Sequence, residues 1–567
     1  MKKHLLHEKK EFFCVRDLVE WAAVTYGEEK NLFSFRRDPH DEEVVSISFA
    51  QVRDDVRALA VKLAAMGCTG KHCAIIGRMT YDWALLYYAL LSIGAVLVPL
   101  DPEWNASDLA DTAAKAEVRF LFIDESAAEK APAISYSCEL IADPILMAAK
   151  DGMTGIPTLL EEGRAIILES DGNAYDSASV DPDAMSLLVF TSGTTGKGKG
   201  VMLSQTAVLS DLSDVIPYVD FADKTVAVLP PHHTYGSSVM LIGHMMIGCE
   251  IYISSGLRYI QRELKEQQPG HMVLVPLYLE TFYRKILANV KEQGKEKLLF
   301  RMIAASNSLR RVGIDLRKQL FASVRDAFGG KIKMIISGGA PINPEILSFF
   351  DSVGIDTLNG YGITECAPII AVNRTKNIVP GTVGNVLDID TVMIDDPNED
   401  GEGEICVKGP NVMLGYYKDE EATAEAIDAD GYFHTGDYGR LDHTGVLTIT
   451  GRKKNLIILS NGKNVYPEEI ENELVATPGI LDIIVYEGQS KRGVMHNAIV
   501  AEVYPDKDYI EKNGITDIKA HLQPYINEYN KRAVSYKKIK ILRVRAKEFP
   551  KNTLRKIQRF QLDTTID

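Results

Sequence analysis

Seven cysteines in 567 residues, none of them spaced as Cys-x-x-Cys, give no basis for a disulfide framework or a structural zinc module. The count is odd, and reduced thiols in a cytoplasmic setting are the expectation. Positive charge is in deficit: 63 Lys and Arg face 78 Asp and Glu, a net charge of −15. An acidic chain of this kind is a poor match for a phosphate backbone, which argues against general nucleic-acid binding. Residues 1–13 include basic side chains with no apolar run behind them, so no secretory signal is expected. Long apolar runs are scarce as well. Residues 83–100 are uncharged and long enough to suggest a membrane span, but Gly94-Ala95 and Pro99 interrupt them. They read instead as a buried helix over 82–93 and a buried strand over 95–100. Internal repeats and low-complexity tracts are absent.

What is present is an ordinary globular composition, 46% hydrophobic and 25% charged, sufficient for a large core. A single core rarely grows past about 250–300 residues, so at least two domains are expected. Short apolar runs at 73–76, 95–100, 118–123, 226–229, 272–275 and 334–336 read as buried strands. Helical patterns at 107–116, 278–290 and 315–327 lie between them. This alternation predicts α/β layers with a largely parallel sheet. After about Asp390, Gly401-Glu402-Gly403-Glu404, Gly409-Pro410, Gly431 and Gly445 punctuate short alternating strands, which suggests a β-rich unit. A further boundary falls at Thr450-Gly451-Arg452-Lys453-Lys454, and a small α+β segment follows. Its end is basic between Lys531 and Arg559. That stretch reads either as a solvated face or as a docking surface for a phosphate-bearing thiol cofactor, an acidic carrier protein or an anionic membrane.

The densest local signal is Phe190-Thr191-Ser192-Gly193-Thr194-Thr195-Gly196-Lys197-Gly198-Lys199-Gly200. A strand over 185–190 runs into hydroxyls, glycines and lysines. Glycine lets the backbone approach a ligand and turn its N–H groups inward. Hydroxyls donate to phosphate oxygens, and lysines supply charge. The stretch therefore reads as a polyphosphate cradle. Gly193 to Lys199 also fits the GxxxxGK spacing of a P-loop NTPase, but Gly200 stands where that motif needs Ser or Thr to hold magnesium. A P-loop also leads straight into a helix, whereas Val201-Met202-Leu203 looks extended and Ser204 is the first good helix cap.

With several further motifs in order, the chain resembles the adenylate-forming (AMP-binding) superfamily of acyl-CoA synthetases, stand-alone adenylation domains and firefly-type luciferases. The motifs are Pro230-Pro231-His232-His233-Thr234-Tyr235-Gly236, Ser337-Gly338-Gly339-Ala340-Pro341, Asn359-Gly360-Tyr361-Gly362-Ile363-Thr364-Glu365 and His434-Thr435-Gly436-Asp437. Gly451-Arg452-Lys453-Lys454-Asn455, Asn461-Gly462-Lys463-Asn464-Val465 and Leu554-Arg555-Lys556 complete the set. The wording around Arg452, Lys463 and Arg555-Lys556 is similar to the long-chain fatty-acid branch. The family pattern usually has proline at the place of Gly198, aspartate at that of Asn455 and glycine at that of Arg555.

The resemblance implies an α/β fold with a large multi-subdomain N-terminal domain, 1–451, and a small mobile α+β C-terminal domain, 452–567. It implies an ATP-dependent enzyme that converts a carboxylic acid, fatty or otherwise apolar, to an acyl-adenylate and passes the acyl group to a thiol. That thiol is coenzyme A or the phosphopantetheine of a separate acyl carrier protein. Lys556, Thr364 and Glu365 carry the chemistry in this reading, with Glu365 as the Mg2+ ligand. Thr191, Ser192, Gly193, Thr194, Thr195 and Lys199 hold phosphates. Gly338, Gly339, Ala340, Pro341, Asn359, Gly360 and Gly362 line the adenine pocket, and Tyr361 stacks on the ring. Asp437 takes the ribose diol, and Arg452 meets ribose or phosphate. His233, Tyr235 and Gly236 border the acyl pocket. Gly462 and Lys463 enter for the thiol step after rotation about a hinge near 452–454. A non-catalytic scaffold and a P-loop NTPase are the readings from other classes. Peripheral membrane contact is compatible with the basic tail, and a transmembrane segment is not expected.

Overall fold

The computed structural model describes residues 5–137, 144–147, 154–169, 173–176, 179–191, 198–459, 464–489, 498–551 and 557–566. The uncharged run that resembles a membrane span is a core helix. It forms Tyr81–Ser92, and every side chain from Trp83 to Ser92 is buried. A helix that is apolar all round belongs inside a large core. Thr80 caps its start, its hydroxyl accepting from the Trp83 amide at 3.1 Å. Gly94, at φ 70°, turns the chain out of it into the strand Val96–Leu100. The two tyrosines keep their polar tips satisfied: the Tyr88 hydroxyl donates to Leu241 O at 2.9 Å, and the Tyr87 hydroxyl lies 3.1 Å from that of Ser238. Among the described residues, no helix is long and apolar enough to cross a membrane.

That strand sits inside a seven-stranded sheet. It runs parallel to His72–Ile76 and Met185–Thr191, and His72–Ile76 runs parallel to Phe120–Ile123. The strand Met185–Thr191 then turns back antiparallel into Lys199–Ser204, so the glycine-rich segment joins two strands of a hairpin. Ser204 caps the helix Gln205–Val215 by accepting from Ala207 N at 3.0 Å. A P-loop would connect a strand directly to a helix, and this connection does not.

A nine-stranded sheet carries most of the remaining site. Its first three strands, His271–Leu274, Met334–Ser337 and Asp356–Gly362, are parallel. From Ile369–Val372 onward the pairing is antiparallel, through Gly384–Val386, Val446–Arg452, Phe433–Leu441, Gly403–Lys408 and Thr391–Asp395. The β-rich unit expected after Asp390 is thus hydrogen-bonded into the same sheet as the parallel strands. The helix expected over 315–327 is broken into Arg317–Leu320 and Ala322–Asp326. Phe321 between them leaves helical geometry as its ring enters the core beside Phe328 and Phe350. From Ile457 on, the side chains form apolar clusters of their own, around the sheet Ile480–Gly488, Ala498–Pro505 and Ile541–Val544.

Two histidines pack together deep in the first part of the chain. His244 Nδ1 donates to Val239 O at 3.1 Å, and its Nε2 lies 2.9 Å from His271 Nε2. His271 Nδ1 accepts from the Ala222 amide at 3.2 Å, so its Nε2 carries the proton that His244 receives. Both rings are neutral in this arrangement. Burial lowers His244 to about 4 and His271 well below its ordinary value. A folded value below the unfolded one means that the denatured chain takes up protons first as the pH falls. Stability present above about pH 6.5 is therefore lost toward pH 4, by about 2 kcal/mol at pH 5 for His244. The buried Asp211 and Asp390 carboxyls, both raised by desolvation, act in the opposite direction. The urea midpoint of His244→Gln is expected to fall less than that of the parent between pH 7.5 and 5; equal falls would refute the assignment.

Candidate active site

The nine-stranded sheet builds one wall. Asp437 and Arg452 face each other in register on neighbouring strands, and Arg452 Nε lies 2.9 Å from Asp437 Oδ1. Tyr361, at the end of Asp356–Gly362, donates its hydroxyl to Asp437 Oδ2 at 2.8 Å. The Asp437 side chain is only 4% exposed. Each carboxylate oxygen has two lone pairs, so Asp437 can still accept from a diol while holding both partners. Asn359, two residues before Tyr361, is tied down by donating to Thr382 O at 3.2 Å.

Glu365 lies on the short turn Thr364–Cys366 that follows the strand. Tyr416 donates its hydroxyl to Glu365 Oε1 at 3.1 Å, and the Lys199 ammonium stands 4.5 Å from the Tyr416 ring centre. This links the lysine after the glycine-rich segment to the carboxylate through one aromatic ring. Burial raises the Glu365 carboxyl above its ordinary value, while the Tyr416 hydroxyl and Arg452 act the other way. Thr191 and Lys199 pair across the hairpin. Cys366, next in the chain, is fully buried with its thiol pushed well up by desolvation, as expected of a packing residue and not a nucleophile.

Glu365, Tyr416 and Arg452 border a cleft of about 400 Å³ together with Glu404, His434 and Lys453. Lys453 donates to Glu404 Oε2 at 2.6 Å, and the Gly436 amide donates to Glu404 Oε1 at 3.1 Å. Burial alone would raise Glu404, but Lys453 and His434 bring it below the usual carboxylate range. Sequence reasoning singled out Glu365 and Arg452. It did not single out Tyr416 or the Glu404–Lys453 pair. The available signal was Glu404, a charge buried beside the apolar run Ile405–Val407.

The residues expected to border the acyl pocket form a second group. Tyr235 lies against Gly338, where an added Cβ would come within 3.2 Å of its ring and hydroxyl. Its hydroxyl donates to Leu274 O at 3.3 Å and approaches Ile336 O at 3.4 Å, between two parallel strands. His233 stacks obliquely on His232 at 4.3 Å, and its carbonyl accepts from the Gly236 amide at 2.9 Å. Gly236 thus closes a turn. His232 lies 3.4 Å from Asp101 and is held neutral by burial, at about 4. Gly339, at φ 84°, and Pro341 are exposed, and Ala340 is half-buried. Ser192, Gly193, Thr194, Thr195, Gly462, Lys463 and Lys556 lie outside the described residues.

Comparison with known proteins agrees with this geometry. The AMP-binding enzyme family matches residues 19–417. The long-chain-fatty-acid–CoA ligase FadD15 of Mycobacterium bovis is 28% identical over 507 residues, covering 83% of this chain and 82% of that protein. The long-chain-fatty-acid–CoA ligase 1 of Cavia porcellus is 29% identical over 508 residues, with 84% and 72% covered. Among solved structures, the ATP-bound MatB of Rhodopseudomonas palustris superposes with a TM-score of 0.72 at 23% identity, over 96% of this chain and 97% of that one. The anthranilate CoA ligase AuaEII with anthranoyl-AMP superposes at 0.76 and 15% identity, over 97% of each chain. The family match over residues 19–417 places this protein in the AMP-binding enzyme family, with Arg452 and Glu365 at one cleft and Asp437 bonded to Arg452 and Tyr361.

Proposed function

We propose that this enzyme is an ATP-dependent, AMP-forming acid–thiol ligase that activates a fatty or other apolar carboxylic acid and transfers it to coenzyme A. The observation that carries the reading is the bonding of Asp437 to Tyr361 and Arg452, with Arg452 and Glu365 bordering one cleft. Direct attack of a thiol on a carboxylate fails, because the leaving group is poor and the anion repels nucleophiles. Adenylation removes both obstacles: the substrate carboxylate attacks the α-phosphorus of ATP, and pyrophosphate leaves. Charge grows on the phosphate oxygens in that step, and preorganised donors aimed there supply the largest catalytic term. Lys199, Thr364, the glycine-rich segment and Lys556 fill that role. Asp437 accepts from the ribose hydroxyls, Tyr361 stacks on adenine, and Arg452 steadies ribose or phosphate.

Glu365 fits a magnesium ligand, because it is a hard oxygen donor, half-buried, with one oxygen already oriented by Tyr416. Bound there, Mg2+ would neutralise phosphate charge. The division of the chain at 451 and 452 gives the reaction two halves. Lys556 and the loop with Gly462 and Lys463 sit on the small domain, and a rotation near 452–454 exchanges them between adenylation and thiol transfer. The six described cysteines are free and buried, in keeping with a cytoplasmic enzyme.

The test is incubation with ATP, Mg2+ and acids of graded chain length, with and without coenzyme A. AMP and pyrophosphate are measured, and products are identified by mass. Acid-dependent AMP and pyrophosphate with acyl-CoA is the expected result. Adenylate without acyl-CoA would point to a carrier-protein acceptor. Orthophosphate released regardless of acid would refute the proposal.

A further inference from the structure

Two groups of metal-capable side chains occur among the described residues: His244, Cys249 and His271, and Asp395, Cys406 and His434. The first is sealed and internally satisfied. The Ala222 amide claims His271 Nδ1, which leaves a proton, and not a lone pair, on the Nε2 that faces His244.

The second group differs. Cys406 and His434 face each other on neighbouring antiparallel strands, with Asp395 opposite Glu404 on the next strand out. All four side chains share one sheet face, because residues two apart on a strand point the same way. His434 Nδ1 lies 3.3 Å from Cys406 Sγ and 3.4 Å from Glu404 Oε2. In tetrahedral zinc geometry, sulfur and nitrogen ligands stand about 3.6 Å apart, and nitrogen and oxygen ligands about 3.4 Å. The other ring nitrogen of His434, Nε2, lies 3.4 Å from Asp428 Oδ2. A carboxylate there holds the proton on Nε2 and turns the Nδ1 lone pair toward the thiol, the outer-shell arrangement found behind metal-bound histidines. Cys406 is buried, His434 half-buried and Asp395 exposed, so the group opens to solvent on one side.

We propose that Asp395, Cys406 and His434 form a binding site for a zinc-class divalent cation beside the nucleotide cleft. Thiolate and imidazole select zinc or cobalt over magnesium, which prefers oxygen alone. Binding releases the Cys406 thiol proton to solvent as the sulfur–metal bond forms. The inference does not depend on which acid or thiol the enzyme uses.

The test is Co2+ titration of the full-length protein, stripped with chelator and kept anaerobic in excess Mg2+. One saturable equivalent is expected, with the visible bands of tetrahedral cobalt and a near-ultraviolet sulfur-to-cobalt band, both bleached by Zn2+. Cys406→Ser should abolish the sulfur band, and Asp395→Asn should weaken binding tenfold or more. Cys249→Ser should leave the spectrum unchanged. Circular dichroism checks that each variant is folded, and Asp395→Asn, on an exposed position, decides if Cys406→Ser is not. No sulfur band in the parent, a band that survives Cys406→Ser, a band lost in Cys249→Ser, or unchanged affinity in Asp395→Asn would each overturn the site.

Discussion

Glu365→Gln is expected to slow acid-dependent pyrophosphate release by about 10²–10³-fold, the usual scale for losing one transition-state electrostatic contact. Glutamine keeps the size of the side chain and can still accept from Tyr416, which donates to Oε1 at 3.1 Å. What it loses is the negative charge. Burial already raises the Glu365 carboxyl, so the group gains most from a cation brought by the nucleotide. The variant should therefore need more Mg2+ for half-maximal rate, with its urea midpoint nearly unchanged. Tyr416→Phe is a graded control: it frees one carboxylate oxygen but leaves the charge and the ring under Lys199, and a loss of about tenfold or less is expected. A Glu365→Gln enzyme within threefold of the parent at all Mg2+ concentrations would remove Glu365 from the mechanism.

Gly362→Ala is expected to destabilise the fold by about 3 kcal/mol or more, and to lose activity beyond what stability explains. A Cβ at Gly362 would lie 1.8 Å from Pro368 O and 2.9 Å from Ile369 Cα. These are backbone atoms at the entry to the next antiparallel strand, where Gly362 pairs with Ile369 beside a shift of register, so no rotamer change relieves the clash. The strands must separate there. Tyr361 and Glu365 flank that point, and the Tyr361–Asp437 bond spans 76 residues of sequence. Urea unfolding measures the first effect. Pyrophosphate release at a temperature where the variant is still folded measures the second. A midpoint within experimental error of the parent's would show that the pairing tolerates a methyl group.

Much of the architecture is local and therefore readable. The core helix Tyr81–Ser92 follows from an uncharged run with a threonine cap and a glycine stop. The hairpin around the glycine-rich segment follows from extended residues ahead of a serine cap. The broken helix at Phe321 was not readable, because a helical period continues through it and only the demand of the core for that ring interrupts it.

The amino-acid order by itself determined the family of this protein and the residue types at its centre: Tyr361, Glu365, Asp437 and Arg452 stand in motifs that carry their own chemistry. Only the tertiary structure decided who meets whom. Tyr416 reaches Glu365 across 51 residues, Lys453 reaches Glu404 across 49, and Cys406 meets His434 across 28. The last pairing is fixed by hydrogen-bond register between neighbouring strands, and the first two by how a turn or a strand of another sheet comes to lie against the strand, which no local pattern encodes.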